Sequence, residues 1–153
     1  MPVGNLTVEA WMALDGDATS MSGIAGAFQE GAGYARGWVL QHQYDPNRRD
    51  SWFVSLGLAT EATHGVGSTG AAAGSPLRQV VARVTPPPPT GSWFHLAATY
   101  DGWMARIFLD GVPVAASSPC GGGYCGGIVY PMLADGRGVR TPLTVGSSLN
   151  AGG

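Results

Sequence analysis

The chain contains no lysine, and its eight positively charged side chains are all arginines. Charged residues make up only 12% of the chain, about half the share of an average soluble domain, and the formal net charge is −2. Because eight arginines are too few to neutralise a run of phosphates, we expect no nucleic acid partner. No stretch approaches the ~18 apolar residues of a membrane span, and the N-terminus lacks the pattern of a signal peptide. We therefore expect no membrane insertion.

The sequence also lacks the apolar period near 3.6 residues that marks amphipathic helices, and its apolar residues recur instead at every second position. In residues 6–14, for example, Leu6 and Val8 share one face and Glu9 lies on the other. Short strands separated by turns predict an all-β, antiparallel two-sheet sandwich, formed by one domain over residues 1–153. The predicted strands cover residues 6–14, 23–28, 37–44, 52–59, 77–84, 93–100, 104–109, 112–116, 128–132 and 141–145.

Three connections between these strands stand out by composition. Residues 60–76 are rich in Gly, Ala, Ser and Thr and offer few groups that pack, so we expect a mobile loop. Residues 86–89 are four consecutive prolines, which lack the N–H donors of a strand ladder and favour an extended chain. We therefore predict that they connect one sheet to the other. The third connection, residues 117–127, holds both cysteines.

Cys120 and Cys125 are separated by four residues, three of which are glycines. Glycines allow so tight a ring to close without strain, which favours a short disulfide-bridged loop and hence an oxidising compartment. Two alternatives stay open at this point. A redox-active pair usually has two residues between its cysteines, and a zinc site needs about four ligands, although no histidine lies nearby in sequence.

A hairpin is predicted where Asp101 and Gly102 separate two apolar strands. A two-residue loop places apolar residues opposite each other on the core face, including Tyr100 opposite Trp103, and a loop longer by two residues leaves the faces unchanged. On the other face, His95 is predicted opposite Phe108. We therefore expect a structural hydrogen-bonding role for His95. The core-face pairs are Tyr100–Trp103, Ala98–Ala105, Leu96–Ile107 and Phe94–Leu109.

The same hairpin carries a pattern that extends over both strands: Trp93, His95, Leu96, Ala97, Thr99, Tyr100, Asp101 and Gly102, followed by Ile107, Phe108, Leu109, Asp110 and Gly111. This pattern resembles the core signature of laminin G-like jelly rolls in the concanavalin A-like lectin and glucanase superfamily. Residues 6–12 are similar to the opening strand of that family, and residues 142–153 to its penultimate strand.

The resemblance implies a jelly-roll sandwich of two antiparallel sheets, one of them curved. It also implies ligands bound on the concave face or at the rim loops, often beside calcium. Family members usually have one strand before the opening element and a last strand after the penultimate one. Because neither is present, we expect the chain to be a fragment of a longer protein.

Acidic residues suited to catalysis are scarce. Glycosidases of this superfamily need two carboxylates flanking the scissile bond, and the acidic residues found two positions apart are Asp15 and Asp17, in a predicted turn. The histidines are not accompanied by a nucleophile motif, so we expect a noncatalytic protein. Asp15 and Asp17 are the best candidates for a calcium site, with Asp135 as second choice. The alternative is that Asp15–Gly16–Asp17 is only a turn.

A glycan site needs exposed aromatic rings beside planar polar groups. Strand 37–44 ends in Tyr44, and Asn47 and Arg48 follow, so these three residues are candidate ligand contacts, as is Tyr124 in the cysteine loop. Along this strand, Tyr44 shares a face with Trp38, Leu40 and His42, whereas Val39, Gln41 and Gln43 share the other. The alternative is that Trp38 and Tyr44 belong to the core and the arginines to a solvated turn.

The sequence therefore predicts a noncatalytic binding module, extracellular or on the cell surface. Its expected partner is a glycan or an extracellular protein, with calcium as the candidate cofactor. Two alternatives stay open: a structural or adhesion spacer, and an accessory domain of a secreted glycoside hydrolase.

Overall fold

The computed structural model describes residues 1–15, 21–31, 34–45, 48–64, 77–130 and 141–146. The described chain is mostly β-structure, with one short helix, α1, at Glu61–His64, and none of its helices is long and apolar enough to cross a membrane. The predicted all-β class is confirmed. The strands are β1 (Leu6–Ala13), β2 (Ser22–Gly31), β3 (Tyr34–Asp45), β4 (Arg48–Leu58), β5 (Arg78–Val84), β6 (Trp93–Tyr100), β7 (Ala105–Leu109), β8 (Val112–Ser117) and β9 (Thr144–Val145).

These strands form two antiparallel sheets, consistent with the predicted jelly-roll sandwich. One sheet has four strands in the order β1-β6-β7-β8, and the other has five in the order β5-β4-β3-β2-β9. The four prolines of residues 86–89 run from β5 in the five-stranded sheet to β6 in the four-stranded sheet, which confirms the predicted connection between sheets.

The core lies between the inner faces of the two sheets. Along β6 the burial alternates strictly, with Phe94, Leu96 and Tyr100 buried and their neighbours partly or fully exposed. From the opposite sheet, the fully buried Trp52 packs edge-on against Phe94, with ring centroids 5.6 Å apart. Edge-to-face contacts of this kind add to the hydrophobic effect of burying both rings.

The β6–β7 hairpin has the predicted faces, but its register differs by two residues. Tyr100 lies opposite Ala105, so the loop comprises residues 101–104. The Asp101 carboxylate stabilises this longer loop, because its Oδ1 accepts the N–H groups of Trp103 at 3.0 Å and Met104 at 2.8 Å. The two-residue loop was therefore wrong. Trp103 lies in the loop and is 53% exposed rather than packed in the core.

The shifted register also changes the neighbours of His95. Phe108 lies opposite Ala97, and the backbone N–H of His95 donates to Asp110 Oδ1 at 2.8 Å. The predicted His95–Phe108 pair was therefore wrong.

Three other predicted segments differ from the structure. Residues 60–76 begin with a helical turn at Glu61–His64, because the Thr60 carbonyl accepts a hydrogen bond from the Thr63 hydroxyl, and residues 65–76 lie outside the described chain. Predicted strand 128–132 is reduced to an isolated bridge between Thr60 and Ile128 in its described part. Predicted strand 141–145 shortens to β9.

Candidate functional site

A shallow depression of about 210 Å³ lies on the outer face of the five-stranded sheet. We call it the amide depression, because three glutamines line it. The lining residues are Met21, Gln41, His42, Gln43, Phe53, Ser55, Gln79 and Val81.

The depression follows from strand pairing and from the small Ser55 on β4, which lies between β3 and β5. Alternate residues of β3, β4 and β5 point outwards and meet in cross-strand rows, Gln41–Ser55–Val81 and Gln43–Phe53–Arg83. Ser55 has a small side chain, which leaves β4 low at this point. Leu77 lies over Gly57 so closely that an added methyl group would collide with it. Larger side chains on β3, β4 and β5 therefore stand around Ser55.

The polar side chains of the depression differ in exposure. Gln41 and Ser55 are 7% exposed, and Gln43 and Gln79 are more open to solvent. Within the described residues, these four side chains form no hydrogen bonds with protein groups. Each amide offers both a donor and an acceptor in one plane, which is the complement of a hydroxyl group.

An aromatic ring and a cation stand beside these amides. The Arg83 guanidinium lies 5.6 Å from the centre of the Phe53 ring, a cation–π arrangement. Its Nη2 and Nε donate to Ser51 Oγ at 2.9 and 3.2 Å, and this hydroxyl lies 3.1 Å from Thr85 Oγ1. Arg83 is thus held in place at the margin of the depression.

His42 has a structural role. Its Nδ1 accepts the indole N–H of the buried Trp52 at 3.1 Å. Burial lowers the pKa of His42 below its usual value of 6.5, so the ring stays neutral at physiological pH. A neutral imidazole whose acceptor nitrogen is occupied suits packing better than proton transfer.

The residues predicted for a glycan site fall in different places. Tyr44 is 6% exposed and belongs to the core, which corrects the expectation that its ring contacts a ligand. Asn47 and the side chain of Arg48 lie outside the described chain. The depression involves the same strand as the predicted site but its other face, because Gln41 and Gln43 line it. Phe53 was not among the residues predicted for the site. The alternation of buried and outward residues along β4 could have identified it.

Tyr124 lies at the rim of the sandwich, as an exposed ring on the cysteine loop. The disulfide between Cys120 and Cys125 is confirmed, with Cα atoms 5.6 Å apart. Tyr124 packs against Trp103 in a tilted arrangement, with ring centroids 5.4 Å apart and an angle of 55° between the rings. It also covers Gly102, where an added methyl group would lie 2.8 Å from Tyr124 Cε2. Trp103 was missed because the predicted register placed it in the core.

Of the three calcium candidates, the described chain includes Asp15. Asp15 is exposed just after β1, whereas Asp17 and Asp135 lie outside the described chain. Among the residues that the structure does describe, no three His, Cys, Asp or Glu side chains cluster as a metal site would require. Calcium binding at Asp15 and Asp17 stays a prediction.

Comparisons with known proteins bear on this geometry. A laminin G-like family model, described as Concanavalin A-like lectin/glucanases superfamily, matches residues 1–124. Pappalysin-1 of Mus musculus is 28% identical over 155 residues, which cover 98% of this chain but 8% of pappalysin-1. The chain thus spans a small part of that relative. A structure solved in work on endo-acting O-glycanases of human gut microbiota that initiate mucin breakdown has a TM-score of 0.45 and 8% identity, over 77% of this chain and 38% of that one.

Proposed function

The chain belongs to the concanavalin A-like lectin/glucanase superfamily, and on this premise we propose that it is a noncatalytic module that binds carbohydrate in the amide depression. One observation carries the proposal. Gln41, Gln43 and Gln79 line the depression together with Phe53, and their amides form no protein hydrogen bonds within the described chain. Sugars are recognised by this combination of planar hydrogen-bonding groups and an apolar ring.

The chemistry of the depression favours binding over hydrolysis. Glycoside hydrolysis needs an acid and a second carboxylate across the scissile bond, about 5 Å apart in retaining enzymes. The described residues that line the depression include no Asp or Glu. Its described side chains can therefore orient hydroxyl groups, but they include neither of the two carboxylates of a glycosidase site.

The size of the depression limits the ligand and its affinity. At about 210 Å³ it is smaller than the ~300 Å³ at which drug-sized ligand sites begin. We therefore expect it to hold one sugar ring of a longer glycan, with a dissociation constant on the order of 1 mM per site. Useful affinity would then require several modules or copies acting together.

The disulfide supports an extracellular or cell-surface location. Disulfides persist in oxidising compartments and are rare in the cytosol of most organisms. In such a setting the module would hold a larger protein to glycans. The adhesion-spacer alternative has no observation of its own in the described residues.

Glycan-array screening of the folded chain, with and without calcium, followed by calorimetry with the best glycan, tests the proposal. The double variant Gln41→Ala/Gln79→Ala should weaken binding roughly 5- to 150-fold, because each lost hydrogen bond contributes about 0.5–1.5 kcal/mol. Gln29→Ala, at a strand position that does not line the depression, is the matched control. A folded chain that binds no glycan, or a double variant that binds as tightly as the wild type, would refute the proposal.

A further inference from the structure

Two tryptophans stand exposed on the outer face of the four-stranded sheet, opposite the side that carries the amide depression. Trp11 on β1 is 67% exposed and Trp93 on β6 is 71% exposed. Trp11 lies opposite His95, and Trp93 lies opposite Ala13, so the tryptophans are diagonal neighbours with Cβ atoms roughly 7 Å apart. We call this surface, with Glu9 and His95, the tryptophan face.

The two indole rings are not part of the hydrophobic core. The core face of β1 and β6 is formed by the alternate residues, such as Leu6 and Leu96, which are buried. Tryptophan is among the residues most enriched at binding hot spots, and two neighbouring exposed indoles on one sheet face are candidates for an interaction surface.

The charge of the tryptophan face identifies the partner. Glu9 Oε2 lies 3.5 Å from His95 Nε2, and Asp110 Oδ1 accepts the His95 backbone N–H at 2.8 Å. Neither carboxylate forms an ion pair with an arginine in the described chain. Arg106, on the same sheet face, is already hydrogen-bonded to Asp101 Oδ2 at 2.7 Å. The carboxylates beside the tryptophans that have no arginine partner within the described chain are therefore Glu9 and Asp110.

We propose that the tryptophan face docks an arginine-bearing segment of a partner protein. A guanidinium can lie flat on an indole while its N–H groups reach a neighbouring carboxylate, and tryptophan is the best aromatic partner for a cation. Trp11 and Trp93 supply the indoles, and Glu9 supplies the carboxylate. Arginine binding at this face is independent of glycan binding, because it uses the opposite sheet.

NMR titration of the full chain tests arginine binding through the indole N–H signals. The chain has five tryptophans, and exposed Trp103, at the rim, serves as the internal control. A blocked peptide of alternating glycine and arginine should shift the Trp11 and Trp93 signals saturably and leave that of Trp103 unchanged. The matching glycine–glutamate peptide should shift none of them. A glycine–lysine peptide should bind more weakly, because an ammonium group does not stack.

Single substitutions test each group of the tryptophan face in turn. Trp11→Ala, Trp93→Ala and Glu9→Gln should each weaken arginine-peptide binding roughly 2- to 5-fold, whereas Gln41→Ala should not. Glu9→Gln retains both rings and thus tests the charge even if a tryptophan variant fails to fold. Equal binding of the arginine and glutamate peptides would overturn the proposal. So would self-association that Trp11→Ala abolishes, since a second copy would then occupy the face, or glycan binding at Trp11.

Discussion

Gly37 allows the most direct test of the structure, because replacing it with alanine should be unusually costly. Gly37 lies within β3 at a φ of +92°, in the left-handed region that L-residues avoid. A Cβ at this position would also overlap the carbonyl oxygen of Ala27 on the paired strand β2. The Gly37 backbone is fixed on both sides, since its N–H donates to the Val129 carbonyl at 2.7 Å and its carbonyl accepts from Ala59 at 2.9 Å.

Two other glycines separate the causes of the expected loss. Gly91 has a φ of +77° but open space around the Cβ position, so Gly91→Ala measures backbone strain alone, about 1–2 kcal/mol. Gly4 has open space and no left-handed φ, so Gly4→Ala should be nearly neutral. Gly37→Ala adds a backbone collision, which costs a further ~1–3 kcal/mol. The expected total is about 2–5 kcal/mol.

Thermal unfolding followed by circular dichroism measures the difference. In a chain of this length, 1 kcal/mol corresponds to roughly 2–4 °C in Tm. Gly91→Ala should therefore lower Tm by roughly 2–8 °C, and Gly37→Ala by roughly 4–20 °C. If Gly37→Ala unfolds at the same temperature as Gly91→Ala, that result would contradict the close approach of Gly37 to the Ala27 carbonyl oxygen.

Three further predictions concern titrating groups and the calcium site. His42→Gln retains an acceptor for the Trp52 indole and should reduce the loss of stability below pH 6.5, since burial lowers the His42 pKa and the unfolded chain gains that proton at a higher pH than the folded chain. Unchanged acid unfolding curves would contradict this. Tyr100, whose hydroxyl donates to the Gly126 carbonyl at 2.6 Å, has its pKa raised by burial to about 12. Tyr100→Phe should lower stability at pH 7 by about 1 kcal/mol and reduce the fall between pH 10 and 12, measured by urea unfolding. Calorimetric titration with calcium tests Asp15 as a ligand. If the heat of calcium binding is the same in Asp15→Asn as in the wild type, the Asp15 carboxylate is not a ligand.

If both proposals hold, the sandwich has two separate functions on its two outer faces. The amide depression would bind a sugar on the five-stranded sheet, and the tryptophan face would hold a polypeptide on the four-stranded sheet. Such a module could link a glycan to a neighbouring protein without competition between its ligands. Simultaneous titration with both ligands would show additive binding.

Much of the fold was predictable because strand alternation is a local property. The period of two along Leu6–Ala13 and Trp93–Tyr100 predicted both strands and their buried faces, and the two cysteines with intervening glycines favoured their bridge. The hairpin loop was harder to predict. Its length depends on hydrogen bonds from Trp103 and Met104 to Asp101, which hold a four-residue loop where the sequence favoured two.

The candidate sites depended on contacts that the sequence does not contain. Alternation showed that Tyr44 and Gln41 lie on opposite faces of one strand, but both faces of this strand carry apolar residues, so only the position of the second sheet decided which face is buried. In the same way, Trp11 and Trp93 are distant in sequence and become neighbours through the pairing of β1 with β6. The sequence by itself determined the fold class and favoured the bridge, because both depend on short-range patterns. The tertiary structure decided the surfaces, because each is assembled from strands that meet only after folding.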